Sequence, residues 1–440
     1  MRIIHNLILI DLKTGNDFLM ANGVNGAVDI IHKREKMIIE KWRNSSAIIP
    51  ETAHENDLFQ NLVKKEYIMC AEEERVRKTK IINMLAGKNK PSLSSSSAWF
   101  VLTYNCNFSC PYCYEGSEKS KNTMTKEMVD QIFAINNSIK RIGFFGGEPL
   151  LPSNKEIINY IISKAPRDAE YSIISNGYYL EDFLDIFKGI KIANVQITLD
   201  GSERMHNLTR KLGNGAPTYQ RIISGIEKYV SQGIPVTIRM NLSAHNIADC
   251  FEEMQRIRNT DWGSKIRVEM QPLFQTKSQE IPRLYKQLFA ENENVVPGGE
   301  NQILNRLLPL SNFVYRGERL VPMLKACDRD GSARFYDPAG NIYNCILAVG
   351  TECKSIGTYY PVATLKEKSF LTRDISKIEK CKSCPYSLFC GGGCPNAIPE
   401  DMDVYSPNCS AFIREAEVII PLIYQMRYLT KNERNGITCG

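Results

Sequence analysis

Three cysteines with a distinctive spacing lie in one short stretch, residues 103–115, which reads TYNCNFSCPYCYE. Cys106, Cys110 and Cys113 follow the pattern C-x3-C-x2-C, so a single loop can present three thiolates to one cubane iron–sulfur cluster. The fourth iron then has no protein ligand, and an open iron is a site for chemistry. Zinc is the competing occupant, but a closed zinc site needs a fourth nearby Cys or His, and residues 98–140 hold no other. The pattern therefore favours an iron–sulfur cluster with one open iron.

Two further features belong with this loop. Tyr112 precedes the third cysteine, where its ring can lie over a ligand at the open iron, and GGEP, residues 146–149, follows the next apolar run. The loop and the GGEP segment together resemble the radical S-adenosylmethionine (radical SAM) enzymes. The resemblance implies that the open iron binds the amino and carboxylate groups of S-adenosylmethionine. It also implies that an electron from the cluster cleaves the sulfonium to a 5′-deoxyadenosyl radical, which abstracts a substrate hydrogen.

The composition limits the function classes. A chain of 440 residues exceeds one ordinary core, which predicts two or three domains. The net charge of +6 is small for this length and no dense basic stripe is present, so no nucleic-acid partner is expected. No window reaches the roughly 20 apolar residues that span a bilayer, and the apolar start is too short for a signal peptide. We therefore expect a cytoplasmic protein with no membrane partner, whose 14 cysteines serve metal ligation rather than disulfides.

The N-terminal residues 1–90 read as a small domain of their own. Three short strands precede three helical patterns, at 7–12, 17–20 and 26–31 and then near 33–42, 55–63 and 76–85. This order resembles the winged-helix-like leader-recognition domains of peptide-modifying enzymes, in which an extended leader peptide adds a strand to a sheet edge. The alternative is a merely structural N-terminal extension. The polar, Ser-rich residues 91–97 form a predicted linker to the next domain.

Residues 98–275 alternate short apolar strands with amphipathic helices in six β–α units. One of these helices carries a clean apolar stripe of Leu180, Phe183, Leu184 and Phe187. Such alternation predicts an α/β fold with a parallel sheet and right-handed crossovers. The family resemblance implies a partial (β/α)6 TIM-like barrel. Sites in such barrels lie at the carboxyl ends of the strands, where the cysteine loop and the GGEP segment both fall.

Polar residues at the predicted strand ends are candidates for binding S-adenosylmethionine. Gly146 and Gly147 allow the backbone to approach a ligand closely, and Glu148 supplies a carboxylate for the ligand's ammonium. Arg210 is placed to pair with the methionine carboxylate in a charge-assisted contact. The remaining candidates end strands three, four and five: Ser175, Asn176, Thr198, Asp200 and Asn241. A structural role such as helix capping is the alternative for these side chains, and no general base can be assigned.

Eight cysteines between residues 327 and 409 form a second array. Twelve residues separate the first cysteine from Gly340, and four more separate Gly340 from Cys345; a C-x2-C-x5-C-x3-C run follows later, and fourteen residues separate it from the last cysteine. This spacing resembles the SPASM domain, which holds two auxiliary iron–sulfur clusters. By that resemblance the first is bound by Cys327, Cys345 and Cys394, with Cys353 as the expected fourth ligand. The second is bound by Cys381, Cys384, Cys390 and Cys409.

The assignment of this array has two alternatives. Cys353 lies outside the family pattern, so it is either a cluster ligand or a free thiol beside an open cluster. A run of zinc ribbons could explain residues 381–394 alone, but it cannot account for the barrel loop in the same chain. We expect a C-terminal SPASM domain at 327–410, a bridging region at 276–326, and a closing helix and tail at 411–440.

The resemblances together predict a radical SAM maturase with three [4Fe-4S] clusters. Bond formation from a carbon radical requires an electron to leave, and auxiliary clusters give it a path. We therefore expect an oxidative cross-link, thioether or carbon–carbon, in a ribosomally synthesised precursor peptide whose leader is bound by the N-terminal domain. A flavodoxin or ferredoxin is the expected reductant.

Two other functions compete with this prediction. The first is a sulfatase-maturing, formylglycine-forming enzyme. That subfamily has an Asp after the Gly-x4-Cys cysteine, whereas Ile346 stands there in this chain. The second is a non-catalytic iron–sulfur electron carrier, against which the intact GGEP segment counts.

Overall fold

The computed structural model describes residues 1–86, 92–115, 122–273, 283–284, 314, 320–326 and 333–429. Cys327, most of the predicted bridging region and residue 91 of the predicted linker lie outside the described residues. The chain forms two compact units. The first comprises Met1–Lys90, Arg306–Asp328 and Arg373–Gly440, and the second comprises Pro91–Asn305 and Arg329–Thr372. The predicted SPASM region, 327–410, is therefore divided between the two units.

The first unit contains the three strands and three helices that the N-terminal sequence predicts, together with two further short strands. Within the described residues, its strands are β1 (Arg2–Ile3), β2 (Leu7–Asp11), β3 (Asp17–Asn22), β4 (Val28–His32) and β5 (Ile68–Met69), and its helices are α1 (Lys33–Arg43), α2 (Ala53–Lys64) and α3 (Ala71–Ala86). The middle three strands form an antiparallel sheet, and β1 pairs with β5. The Thr52 hydroxyl caps α2 by accepting a hydrogen bond from the Glu55 N–H at 3.1 Å. Trp42, Leu62 and Tyr67 are buried between these elements.

The second unit is built on a parallel sheet, which confirms the predicted α/β class. In the part of the chain that the structure describes, six strands follow one another in sequence order: β6 (Ser97–Val101), β7 (Arg141–Phe145), β8 (Glu170–Ser175), β9 (Lys191–Thr198), β10 (Val236–Leu242) and β11 (Arg267–Pro272). Ser97 thus begins a strand, although the predicted linker extends to that residue. Gly143 of β7 leaves room for the Trp99 ring, because a Cβ there would lie 2.1 Å from Trp99 Cδ2.

Helices connect these strands as the apolar stripes predict. The described helices of this part are α4 (Lys126–Ile135), α5 (Lys155–Lys164), α6 (Leu180–Phe187), α7 (Glu203–Thr209), α8 (Tyr219–Ser231) and α9 (Ile247–Arg258), with 3-10 turns at Pro152–Asn154 and Gly263–Lys265. Phe183 and Phe187 of α6 are buried, as their spacing predicts. The short helix α7 was not predicted; the Ser202 hydroxyl caps it by accepting from the Met205 N–H at 3.4 Å.

Part of the cysteine array extends this same sheet. Four further strands are described: β12 (Arg334–Tyr336), β13 (Asn341–Tyr343), β14 (Gly357–Thr358) and β15 (Thr364–Leu365), with 3-10 turns at Ile346–Ala348 and Glu352–Lys354. β12 pairs with β6 in parallel, and the next three strands continue antiparallel. The segment that carries Cys345 and Cys353 is therefore anchored at the β6 edge of the parallel sheet.

The rest of the array belongs to the first unit. Its described elements are short helices at Glu379–Lys382 and Ser387–Cys390, a 3-10 turn at Pro395–Ala397, a helix at Ser410–Arg414, a π-helix at Glu415–Ile419 and a helix at Ile420–Tyr428. Ile375, Ile378 and Leu388 form a small apolar core here, against which Ile81 and Ile82 of α3 pack. None of the helices among the described residues is long and apolar enough to cross a membrane.

Candidate functional site

The cysteine loop leaves the carboxyl end of β6 and is held against the GGEP turn, which leaves the neighbouring strand β7. The N–H of Gly147 donates to Thr103 O and the N–H of Glu148 donates to Asn105 O, both at 2.9 Å. A Cβ at Gly146 would lie 2.3 Å from Thr103 O, and a Cβ at Gly147 would lie 2.4 Å from Asn105 O. The close approach that requires these glycines is thus an approach of two backbones, whereas the sequence suggested an approach to a ligand.

The thiols of the loop influence one another's pKa values. Burial, the Glu148 carboxylate and Cys110 raise the pKa of Cys106 to about 12, and the Phe108 N–H, 3.4 Å from its sulfur, opposes this shift. Burial also raises the pKa of Cys110, with Cys113 adding to the rise and Arg210 lowering it. Iron binds thiolates, so a bound cluster must displace these protons.

Glu148 is a fully buried carboxylate that joins the ends of β7 and β8. One oxygen accepts hydrogen bonds from the Leu150 N–H at 2.8 Å and the Ser175 hydroxyl at 2.7 Å, and the other accepts from the Asn176 N–H at 2.7 Å. Burial raises the pKa of Glu148 to about 7, and these hydrogen bonds oppose the rise. Contact between Glu148 and the ammonium of a ligand remains a prediction, while its role in tying the two strand ends together is a structural finding.

Asn176 extends this connection to the cysteine loop. Its Nδ2 donates to Asn107 Oδ1 at 2.8 Å and lies 3.7 Å from the sulfur of Cys106. Asn107 was not singled out from the sequence, because an Asn inside a loop has no periodic signal. Two strand ends and the loop are therefore joined through Glu148, Ser175 and Asn176.

Tyr112, Asp200 and Arg210 form a second connected group at the end of β9. The Tyr112 hydroxyl donates to Asp200 Oδ2 and accepts from Arg210 Nη1, the latter at 2.8 Å. The Thr209 hydroxyl also donates to Asp200, at 3.2 Å. Burial raises the pKa of the Tyr112 hydroxyl well above its ordinary value, with Arg210 opposing this effect. The predicted strand-end residues Asp200 and Arg210 are thus brought to the cysteine loop through Tyr112.

This group retains polar atoms that a ligand could satisfy. Asp200 Oδ1 and Arg210 Nε are buried and have no hydrogen-bond partner among the described residues. An acceptor and a donor of opposite charge suit the hydroxyl and carboxylate groups that S-adenosylmethionine carries. The donor set of three thiols likewise suits a cubane with one open iron. The residues present therefore fit the cofactors that the family resemblance implies.

Two other predicted site residues, Thr198 and Asn241, and the nearby His206 have no described contact with the cysteine loop. Thr198 ends β9 opposite Arg239 of β10, and the Asn241 carbonyl accepts from Asn246 Nδ2 at 2.9 Å. The structure describes no contact of either residue with the cysteine loop. His206 is buried, with Nδ1 facing the Asp200 N–H at 3.4 Å and Nε2 facing the Thr218 hydroxyl at 3.1 Å. The imidazole therefore has a packing role beside the site.

Four thiols of the C-terminal array line one cavity in the first unit. The cavity has a volume of about 430 Å³, and the four are the predicted ligands of the second auxiliary cluster: Cys381, Cys384, Cys390 and Cys409. Burial raises the pKa of Cys381 to about 11, with a further rise from Cys384 and a reduction by Arg373. Burial, Cys381 and Cys409 raise the pKa of Cys390 to about 12. All four thiols therefore line one shared space, as the ligands of one cluster would.

The N-terminal domain provides one wall of this cavity. Leu9, Ile10 and Asp11 of β2 and Lys13 of the following turn line it together with the cysteines. The backbone of the cysteine segment is bonded to the same domain: the His5 ring lies 2.6 Å from Ser383 O, and Asn6 Nδ2 donates to Pro385 O at 3.0 Å. The sequence gave no indication of this contact, because a turn of mixed polarity carries no marker of its partner.

The predicted ligands of the first auxiliary cluster are not described together in one site. Cys345 precedes a 3-10 turn and is half-buried, and Cys353 is exposed in the next turn. Cys394 lies in the first unit, and Cys327 lies outside the described residues. This ligand set remains a prediction. Within the described ranges, no three Cys, His, Asp or Glu side chains converge as ligands of a single metal ion.

Residues 100–256 match the model of the Radical SAM superfamily. The matched segment runs from β6 into α9 and includes the cysteine loop, the GGEP turn and the group around Asp200. This match confirms the resemblance that the cysteine spacing and GGEP indicated, and the chain carries a radical SAM domain.

Comparisons with individual proteins extend beyond this domain. The chain is 24% identical over 362 residues to an uncharacterized protein of Archaeoglobus fulgidus, a match that covers 77% of this chain and 84% of that protein. It is 28% identical over 150 residues to a probable GTP 3′,8-cyclase of Methanopyrus kandleri, with 33% of this chain matched. The chain spans only 47% of the length of that cyclase.

Two solved structures have a similar fold. AnSMEcpe with bound AdoMet aligns with a TM-score of 0.55 at 17% identity, over 78% of this chain and 97% of that one. SuiB of Streptococcus suis bound to S-adenosylmethionine aligns with a TM-score of 0.50 at 13% identity, over 93% of this chain and 99% of that one. At these identities the similarity is one of fold. It covers residues far outside the matched superfamily domain.

Proposed function

We propose that this chain is a radical SAM maturase that modifies a ribosomally synthesised peptide by an oxidative cross-link, thioether or carbon–carbon. The observation that carries the proposal is that the three-cysteine loop after β6 is hydrogen-bonded to the GGEP turn after β7 and, through Tyr112, to Asp200 and Arg210 after β9. A site of this kind at this edge of a parallel sheet is where the family's chemistry occurs.

In this proposal each group of the barrel site has a definite task. Bound S-adenosylmethionine and its cluster supply the radical that abstracts a hydrogen from the peptide. Cys106, Cys110 and Cys113 hold three irons, and the backbone of the GGEP turn fixes the loop that carries them. Arg210 Nε and Asp200 Oδ1, which lack partners among the described residues, bind the carboxylate and a hydroxyl of the ligand.

The parts outside the barrel support a peptide substrate. AnSMEcpe, which shares the fold with a TM-score of 0.54, has been solved with bound AdoMet and a Kp18Cys peptide. The antiparallel sheet β2–β3–β4 offers an edge strand, β4, to which an extended leader can add by backbone hydrogen bonds. The four thiols that line the cavity beside β2 would hold one auxiliary cluster. Such a cluster would give an electron a route away from the product radical. A flavodoxin or ferredoxin is the proposed electron donor.

Anaerobic reconstitution with iron and sulfide tests the proposal. With dithionite and S-adenosylmethionine, the wild-type chain should release 5′-deoxyadenosine, whereas Cys110→Ala should not. A chain that binds iron fully but never cleaves S-adenosylmethionine would contradict the proposal and favour the electron-carrier alternative. Co-expression with short peptides encoded beside the gene, followed by mass spectrometry, tests the cross-link. A loss of two hydrogens per cross-link is expected, while an aldehyde at a Ser or Cys would favour the formylglycine alternative.

A further inference from the structure

Arg373 is a buried cation in the C-terminal array, and neither the cysteine spacing nor the family resemblance accounts for it. Arg373 is only 3% exposed. Nε donates to Val404 O at 2.8 Å and Nη1 donates to Gly393 O at 3.1 Å. Nη2 donates to Gly392 O at 2.6 Å and to Ser406 O at 3.0 Å. All four acceptors are neutral carbonyl groups, so these bonds satisfy the donors without balancing the charge.

The four carbonyls belong to the two chain segments that connect the last cysteines. Gly392 and Gly393 lie between Cys390 and Cys394, and the other two acceptors lie shortly before Cys409. Gly392 itself lines the cavity that the four thiols share. One side chain thus holds together the segments that position cysteines of both predicted auxiliary sets.

The path of the glycine segment is adapted to this contact. Gly391, Gly392 and Gly393 have φ values of 60°, 80° and 77°, a left-handed run that other residues rarely adopt. A Cβ at Gly392 would lie 3.2 Å from Arg373 Nη1, and a Cβ at Gly393 would lie 1.7 Å from Asn408 O. Only glycine allows these carbonyls to approach the guanidinium while the segment packs against the chain before Cys409.

Cysteines are the main groups that would oppose the charge of Arg373 once they are thiolates. In the part of the chain that the structure describes, no carboxylate forms an ion pair with it. Burial lowers its pKa, and the groups that raise the pKa are, in decreasing order, Cys381, Cys394, Cys390 and Asp374. A buried cation without a counter-charge is destabilising. Thiolates bound to an anionic iron–sulfur cluster would provide that counter-charge.

We propose that Arg373 is a positioning residue of the second auxiliary cluster site, where it holds the segment after Cys390 and the segment before Cys409 together and supplies positive charge that stabilises the anionic cluster. The inference rests on the proposed assignment of the C-terminal cysteines to clusters. Reduction adds a negative charge to a cluster, so a buried cation beside it stabilises the reduced form and raises the midpoint potential.

The test compares three variants of the full chain, reconstituted anaerobically. Arg373→Gln removes the charge and most of the hydrogen bonds, and Arg373→Lys keeps the charge but cannot reach four carbonyls. Arg334→Gln is the matched control, because Arg334 is also buried and donates to the carbonyls of Ser92 and Ala333 in the other unit. The readouts are iron and sulfide per chain, the rate of iron release to a chelator, and midpoint potentials followed by electron paramagnetic resonance with dithionite as titrant.

Arg373→Gln should lose roughly a third or more of its iron, the share of one cubane in three, and any auxiliary cluster that remains should have a lower midpoint potential. Arg373→Lys should keep the potential but release iron to the chelator about tenfold faster, since part of the hydrogen bonding is lost. Arg334→Gln should change neither property. If Arg373→Gln is insoluble, the rate at which Arg373→Lys releases iron to the chelator decides the test alone. A rate equal to that of the wild type would overturn the inference.

The inference and the proposed function fail in distinguishable ways. If the wild-type chain holds iron only at the barrel site, the assignment of the C-terminal cysteines is wrong. If the wild-type chain is fully loaded and both Arg373 variants hold the same iron at unchanged potentials and release rates, only the role of Arg373 is refuted.

Discussion

The cysteine loop and the C-terminal cavity differ in how far their cysteines are buried. Cys106 and Cys113 of the loop retain solvent-exposed surface and Cys110 is half-buried, whereas two of the four cavity cysteines, Cys381 and Cys390, are buried. Each region also has a buried arginine. Arg210 bonds to the Tyr112 hydroxyl beside Asp200, whereas Arg373 bonds only to carbonyls. On this basis we propose a division of labour, in which the first region exchanges a ligand and the second holds a charged group permanently.

Removing one thiol from each region gives the largest expected difference. Cys110→Ala should abolish release of 5′-deoxyadenosine while leaving the iron of the C-terminal sites in place, because those cysteines belong to a separate set. Cys384→Ala should have the opposite effect, with iron lost from the second auxiliary site and S-adenosylmethionine cleavage retained. Cys70→Ala, which removes an exposed thiol outside both sets, is the control. Iron analysis and chromatography of the nucleoside products measure these effects, and equal iron loss in both variants would contradict the division.

The glycine contact between the GGEP turn and the cysteine loop gives the next largest effect. A Cβ in Gly147→Ala would lie 2.4 Å from the carbonyl oxygens of Tyr104 and Asn105, so the loop must move. A displacement of about 1 Å at a reacting centre can reduce the rate about a hundredfold. Gly189→Ala is the matched control, because a Cβ there meets no atom within 4 Å. Single-turnover formation of 5′-deoxyadenosine measures the effect, and equal rates in the two variants would refute it.

The Tyr112 hydroxyl gives a smaller and more local effect. Tyr112→Phe leaves Asp200 and Arg210 buried without their shared partner, which should lower the free energy of unfolding by about 1–3 kcal/mol. Binding of S-adenosylmethionine should also weaken, since both residues would be free to reorient. Tyr160→Phe, which removes a hydroxyl bonded to Asp130 on an exposed face, should change neither property. Denaturant titration and equilibrium binding measure the two effects separately.

The smallest expected effect is a pH dependence of the free energy of unfolding of the second unit. The pKa of His206 lies well below its ordinary value, because burial disfavours the charged ring and Arg210 repels it. Below about pH 6.5 the unfolded chain takes up a proton that the folded chain does not, so the free energy of unfolding falls by up to about 1.4 kcal/mol per pH unit. Arg373 has no such titration, because an arginine keeps its charge throughout this range.

Denaturant titrations at pH 7.5 and pH 5.5 check this prediction. His206→Gln should reduce the loss of stability between the two pH values, whereas the exposed His245→Gln should leave the loss as it is in the wild type. The same loss in all three proteins would mean that His206 does not contribute.

The sequence predicted most of the parallel sheet and brought part of the candidate site to attention. The six strands and the stripe of α6 follow from periodicity, because a buried face requires apolar residues at fixed intervals. The pairing of β12 with β6 could not be predicted, since more than 200 residues separate them and neither strand encodes its neighbour. The four-thiol set was predicted by family spacing. Arg373 was not, because a single arginine outside any motif carries no signal, although the three consecutive glycines at 391–393 mark an unusual backbone.

The wall that β2 contributes to the cysteine cavity has a consequence for how the protein could be shortened. Leu9, Ile10 and Lys13 line the same cavity as the four thiols, and His5 and Asn6 bond to the residues on either side of Cys384. A fragment beginning at residue 91 would therefore open this pocket to water and oxidants, in addition to losing its proposed hold on a leader. In such a fragment, failure of the proposed peptide modification could follow from loss of the proposed electron path as readily as from loss of leader binding.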